Sequence, residues 1–485
     1  MIPLIKNKFC IITLIFLFIL SQQSSIFAIS IEDEEKAGEV FLQDVKRQLE
    51  VIDDPVVNDF INDLGQFLVK SVETRPFKFR FYVVKNDELN AFAGPGGYIF
   101  VFTGLIRAMD QVDELSAVLC HEIAHVTNRH ISQQASQYAK LGLATMIGIL
   151  AGALIGGDAS QAVMVGSLGA AQQKQLSYSR DAERQADQAG LKYTAKSGFS
   201  PTAIKDALMK LQAGNWRADE IPPYLLTHPI GPERISNIDS MLSSPYIVED
   251  KPETAKFKKE YPIFRTIIMA KYGQRDEMIN QFSSDLSKNP DSPLANLGMG
   301  ILLKENDHYP RAIEHLEKAV KGIDEPLLAL KYLSETYQLN NEPEKAVSIL
   351  KEALDKNGND KTSLLTLAKI YQDNEEYDKS IDIYEKLKLM KPVKDDVFYN
   401  LGYSYGKKNK LGLAHYNFGL FYDRLRNMKE ARFHFQEAKK DASGNEELLK
   451  KIEDSMKNLD KDKDKNKKDQ ESGWNFSEKM SLFHP

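Results

Sequence analysis

The stretch DQVDELSAVLCHEIAH, Asp110–His125, decides how the first half of this chain is read. Asp110 can cap a helix, Asp113 and Glu114 stand where a first turn favours acids, and Leu115, Val118 and Leu119 recur at helical spacing. Two histidines four apart on such a helix, His121 and His125, project from one face and can meet a single zinc ion. Glu122, turned by about 100° from its neighbour, can act as general base toward the water that such an ion activates. A catalytic zinc also needs a third protein ligand and an open fourth position. Downstream, YSRDAERQAD (Tyr178–Asp187) is again helical in character, with Glu183 and Asp187 sharing a face at i, i+4. Glu183 can ligate while Asp187 accepts a hydrogen bond from a ligand imidazole and fixes its tautomer.

Working outward, the first thirty residues have a different character. Lys6 and Lys8 precede a twelve-residue run, Phe9–Leu20, that is apolar apart from Thr13, and a small polar stretch to Ala28. This pattern is a secretory signal peptide cleaved after Ala28; a twelve-residue run is too short for a span that needs about 20. Its removal takes two lysines and no acid, so a net charge of −6 becomes −8, and Cys120 is left as the lone cysteine. No internal disulfide can then form, and an acidic balance carries no footprint of nucleic-acid binding. With 42% hydrophobic and 27% charged residues over 485 positions, wholesale disorder, collagen-like repeats and a polytopic membrane protein are excluded.

The second half carries a period. Ala312, Ala346, Ser380 and Ala414 are each 34 residues apart, as are Tyr337, Tyr371 and Tyr405 and the pair Ala319 and Ala353. Thirty-four is the tetratricopeptide period: small residues let two antiparallel helices approach, and each repeat buries its apolar face against its neighbour. The register shifts near the end, where Asn417-Phe418-Gly419 follows Leu401-Gly402 by seventeen residues. Four or five repeats with an irregular last one are expected, offering a concave surface for peptide segments or a partner protein. The fold class is therefore an α+β zinc metallopeptidase domain, helical with a small β-sheet, followed by an all-α tetratricopeptide-repeat solenoid. The expected division is 1–28 signal, 29–250 peptidase, 255–456 repeats and 457–485 a charged, disordered tail. The aromatic end of that tail, Trp474–Phe483, is a short amphipathic terminus or a docking peptide.

Four ordered motifs carry a resemblance: His121–His125, Glu183-x-x-Ala186-Asp187, Asn90–Ile99 (NAFAGPGGYI) and Thr227-His228-Pro229. Together they resemble the HtpX and CAAX-prenyl-endopeptidase clan of gluzincin metallopeptidases. With a signal peptide and repeats, the chain is similar to the BepA-type periplasmic proteases of Gram-negative envelopes. The resemblance implies one zinc held by His121, His125 and Glu183, Glu122 as catalytic base, and Asp187 as an outer acid described as a proton donor. It implies a periplasmic endopeptidase acting on unfolded or stalled outer-membrane proteins, with repeats that recruit these substrates or the barrel assembly machinery. Two roles are implied for His228, and both need it near the metal. It can fill the fourth zinc position and switch the enzyme off, or, with Arg234, stabilise the oxyanion and bind substrate. The alternative from another class is a chaperone or scaffold for barrel assembly with a latent zinc site.

Other segments have readings of their own. Phe77, Phe79 and Phe81 alternate with Lys78 and Arg80 as a half-buried strand, and Tyr98–Phe102 reads as its partner after the Gly94-Pro95-Gly96-Gly97 turn. The pair is a core hairpin, or its edge holds an extended substrate beside the zinc. Cys120 reads as a small buried hydrophobe and His130 as a non-ligand on the same helix. Leu141–Gly157, an uncharged run with Gly148, Gly152 and Gly156 at four-residue spacing, reads as a buried or surface-seeking helical hairpin with peripheral membrane contact.

Overall fold

A computed structural model describes residues 30–137, 179–212 and 223–471, apart from positions 392, 426 and 443. The signal-like segment, the run 141–157 and Trp474–Phe483 lie outside the described residues. The chain divides into two compact units, Met1–Tyr261 and Pro262–Pro485. Among the described residues, no helix is long and apolar enough to cross a membrane.

In the first unit the order is α1 (Ile31–Gln48), α2 (Pro55–Val69), β1 (Arg80–Val84), β2 (Ala91–Gly94), β3 (Tyr98–Phe102), α3 (Thr103–Ala108), α4 (Val112–Thr127), α5 (His130–Gln137), α6 (Arg180–Lys196), α7 (Ala203–Gln212), α8 (Pro223–Thr227), α9 (Pro232–Leu242) and the start of α10 (Pro252–Tyr272), which continues into the second unit from Pro262. The sheet has the order β1-β3-β2. The expected pairing of β1 with β3 is present, but it is parallel, Arg80 opposite Tyr98 through Val84 opposite Phe102. The hairpin across Pro95–Gly97 instead joins β2 to β3, Ala91 opposite Val101. Gly97 makes this turn possible: its φ is +88°, and a Cβ there would lie 2.9 Å from the Lys78 carbonyl oxygen. Every residue of β2 is buried, whereas Arg80 and Tyr82 of β1 are only partly so.

Helix α4 is the axis of the unit. Every residue from Val112 to Val126 is buried, so the helix is enclosed on all sides. Asp110 is not its cap. Glu114 accepts hydrogen bonds from the Asp110 and Gln111 N–H groups at 2.6 and 3.2 Å and pairs with Lys210, while Asp113 accepts from the Ser200 N–H at 2.9 Å. Tyr261 donates to the carbonyls of Ile106 and Met109 at 3.1 and 2.8 Å, tying α10 to the segment that enters α4. Cys120 is fully buried, and burial pushes its thiol up to about 12, which makes it an inert core group.

The second unit is helical throughout: α11 (Arg275–Lys288), α12 (Pro293–Lys304), α13 (Tyr309–Gly322), α14 (Leu327–Leu339), α15 (Pro343–Lys356), α16 (Lys361–Asp373), α17 (Tyr377–Leu389), α18 (Asp395–Lys407), α19 (Leu411–Arg424), α20 (Met428–Asp441) and α21 (Glu446–Glu471). The 34-residue period has a backbone counterpart. Asp307, Asn341, Glu375 and Asn409 all adopt left-handed φ of 56–61°, one at each turn within a helix pair. At three of these turns the N–H of the next residue donates to a periodic tyrosine carbonyl, Glu342 to Tyr337, Glu376 to Tyr371 and Lys410 to Tyr405, at 2.8–2.9 Å. Each such bond closes the end of a helix. The seventeen-residue shift also has a cause. A Cβ on Gly402 would strike Phe418, and one on Gly419 would strike Phe435, the same sixteen-residue relation that joins Gly300 to Leu316. Helix α19 is thus the second helix of one pair and the first of the next. The charge run expected to be a disordered tail is helical as far as Glu471, because α21 buries Ile452 and Leu459 against Phe435 and pairs Asp460 with Arg432.

Candidate metal centre

Helices α4 and α6 build the site between them, and a glycine sets their spacing. A Cβ on Gly190 of α6 would lie 3.2 Å from both Cα and N of His121, so no larger residue fits without parting the helices. Ser179 caps α6 by accepting from the Ala182 N–H. This presents Glu183 and Asp187 to the histidines of α4. The loop after α8 brings in His228, and the first turn of α9 brings in Arg234.

His121, His125, Glu183 and His228 are all buried, with one ligand-type atom from each inside a 4.8 Å cluster. Their separations test the fit of a metal. His121 Nε2 is 3.0 Å from His125 Nε2 and 3.4 Å from His228 Nδ1. Glu183 Oε1 is 2.9 Å from His228 Nδ1 and 3.3 Å from His125 Nε2, and Glu183 Oε2 is 3.5 Å from His121 Nε2. A tetrahedral zinc with bonds of about 2.0–2.1 Å has donor–donor edges of about 3.3 Å. The four donors fit such an ion.

The surroundings are polarised in a way that suits it. His121 Nδ1 lies 2.9 Å from Asp187 Oδ1, leaving Nε2 for the cluster. Arg234 donates from Nε and Nη2 to Asp187 at 2.9 and 2.8 Å and pairs with Glu183 at 2.6 Å. Burial acts to raise the pKa values of both acids, but His228 and Arg234 hold Glu183 well below the usual carboxylate range, and His121 and Arg234 hold Asp187 below it. Glu122 is the exception. Burial raises its pKa, and neither carboxylate oxygen has a hydrogen-bond partner among the described residues; His228 Nε2 is 3.6 Å away. A cleft of about 280 Å³ lined by Arg180, Arg184, Pro229 and Asn237 reaches Glu183, Asp187 and Arg234.

All seven residues singled out in the sequence therefore converge, and two further ones join them. His130, read as a non-ligand continuing α4, instead begins α5 and is buried with its Nδ1 3.0 Å from His125 Nδ1. Tyr224, fully buried, stacks on the His228 ring at 4.6 Å between centroids, and its hydroxyl has no partner among the described residues. Its spacing of four from His228, on one helical face, was the available signal.

Known proteins give the same picture. Residues 56–242, which span every residue of the cluster, match peptidase family M48, and residues 305–387 match the family described as anaphase-promoting complex, cyclosome, subunit 3. The first unit is thus similar to peptidase family M48 over residues 56–242, a tetratricopeptide-like helical array follows it, and the class so defined is a metalloendopeptidase. Within that class, the chain is 28% identical to the beta-barrel assembly-enhancing protease of Yersinia pestis over 349 residues, 71% of each chain. It is 30% identical to the Escherichia coli (strain K12) protein of the same name over 263 residues, 53% of this chain and about half (52%) of that one. A tetratricopeptide repeat protein from Parabacteroides merdae is 15% identical, covering 45% of this chain and 93% of that one with a TM-score of 0.28.

Proposed function

We propose that this chain is a periplasmic zinc endopeptidase that cleaves unfolded or stalled outer-membrane proteins, which its repeats recruit. The observation that carries the reading is the clustering of four buried donors within 4.8 Å of one another beside Glu122, a buried carboxylate with no hydrogen-bond partner among the described residues. His121, His125 and Glu183 would hold one zinc ion per chain, which when bound polarises the peptide carbonyl and acidifies water. Glu122 takes the proton from the attacking water as the oxygen adds to the carbonyl carbon. It returns that proton to the amine nitrogen when the C–N bond breaks. Asp187 orients His121; the proton-donor role implied by family resemblance requires it first to release Arg234. The relatives named for barrel assembly, together with the signal-like N-terminus, support envelope substrates, the periplasm of a Gram-negative bacterium and contact between the repeats and the assembly machinery.

His228 favours a refinement. Its Nδ1 lies among the donors, 3.4 Å from His121 Nε2 and 2.9 Å from Glu183 Oε1, which supports a role as fourth ligand that holds the enzyme off and also lends weight to a second reading, a chaperone or scaffold with a latent metal site. Turnover separates the two. Zinc content and cleavage of an unfolded barrel protein are measured for the mature chain and for Glu122→Gln. Equal zinc with cleavage only by the parent is expected; equal cleavage by both overturns the catalytic assignment, and no cleavage by either leaves the scaffold.

A further inference from the structure

Between α4 and α5, Arg129 adopts a left-handed φ of 54°, a conformation that a residue with a Cβ rarely takes. The strain is held in place: the Arg129 guanidinium donates to the buried Glu34 from Nε at 3.1 Å and Nη2 at 2.9 Å, and the Ser132 hydroxyl donates to the same carboxylate. The effect of the turn is to fold His130 back onto His125, with the two rings nearly perpendicular and 4.9 Å apart between centroids. Strain retained beside a candidate site asks for a functional reason.

The reason lies in tautomers. His125 directs Nε2 at Glu183 and His121, so as a ligand it must carry its proton on Nδ1. That nitrogen faces His130 Nδ1 at 3.0 Å, which must then accept, and the proton of His130 sits on Nε2. His130 Nε2 in turn faces Gln185 Oε1 at 3.4 Å, an acceptor two residues beyond Glu183 on α6. Each donor thus meets an acceptor along Gln185, His130 and His125. We infer that His130 is a positioning residue for the metal, fixing the tautomer and ring orientation of His125 through an Nδ1-to-Nδ1 hydrogen bond. His121 has the equivalent bond to a carboxylate, so the two histidine ligands are unequally supported.

The inference rests on the zinc reading above, and metal affinity tests it without recourse to cleavage. Zinc dissociation constants are measured by chelator competition on the mature chain and on its His130→Leu and His130→Asn variants, with the thermal unfolding of each recorded in excess chelator. His130→Leu keeps the bulk and loses the acceptor; His130→Asn can place a carbonyl oxygen where Nδ1 stood. Loss of an outer hydrogen bond to a ligand weakens binding by about 10–100-fold. His130→Leu is expected to show such a loss and His130→Asn to recover most of it, while all three chains unfold in chelator at similar temperatures. Equal affinities, or equal losses in both variants, overturn the role of His130. A parent chain that binds no zinc overturns the metal reading instead.

Discussion

Gly190→Ala puts the geometry of the centre to a quantitative test. The new Cβ would stand 3.2 Å from Cα and N of His121 and 3.4 Å from the Cys120 carbonyl carbon, all backbone atoms of the buried helix α4. Ordinary contact between such atoms begins near 3.4 Å, so α6 must give way by a few tenths of an ångström. The 2.9 Å contact of Asp187 with His121 then lengthens toward the end of the usual hydrogen-bond range, near 3.2 Å, and Glu183 withdraws with it. Overpacking costs about 1–3 kcal/mol, offset by up to ~1 kcal/mol because alanine suits a helix interior better than glycine. Net stability in chelator should fall by no more than about 3 kcal/mol. Zinc affinity, which depends on the displaced groups, should fall about 10–100-fold. Chelator competition and thermal unfolding measure the two quantities separately, with Gly358→Ala, whose Cβ would meet only the Leu354 carbonyl at an ordinary 3.5 Å, as the control. Unchanged zinc affinity together with a raised melting temperature would refute the claim that Gly190 sets the spacing of ligand helices.

His228→Ala removes the fourth donor: weaker zinc binding with faster cleavage of an unfolded reporter is expected, retained zinc with lost cleavage would assign an oxyanion role instead, and no change in either sinks both. Glu375 stands in a left-handed turn where its counterparts are Asp307, Asn341 and Asn409, so Glu375→Asn should raise the stability of the repeat unit by about 0.5–1 kcal/mol in urea unfolding; a loss of stability counts against strain at that turn. Lys196 and Lys192 hold the exposed Glu73 at about 2 instead of 4.5. A lowered carboxylate pKa stabilises above the unfolded value, so this contribution is present above pH 4.5 and fades toward pH 2; Lys192→Gln/Lys196→Gln should flatten that part of the melting curve relative to the parent, and parallel curves would show the pairs to be idle.

Features whose cause is local were legible in the sequence. His121 and His125 declare themselves because four residues on a helix is one face, and the 34-residue period shows because every turn repeats the same left-handed cap. What stayed hidden depends on distant partners. That β1 runs parallel to β3 is set by packing against α2 and the crossover after Val84, which no alternation pattern encodes. The contact of His130 with His125 was not legible because it follows from the left-handed Arg129, held by Glu34 some ninety-five positions earlier. The helical continuation to Glu471 was obscured by charge, since a handful of buried side chains such as Leu459 anchors a surface that otherwise reads as tail.

The double service of α19 limits how such an array can grow or shrink. Between α12 and α17 each pair turns on the same left-handed cap at the same 34-residue interval, so a 34-residue block can be duplicated or deleted and the remaining joints still match. Beyond α18 this freedom ends. Because α19 packs Phe418 against Gly402 and Gly419 against Phe435, α18, α19 and α20 must be inherited together, and a length change in this lineage should enter upstream of Asp395.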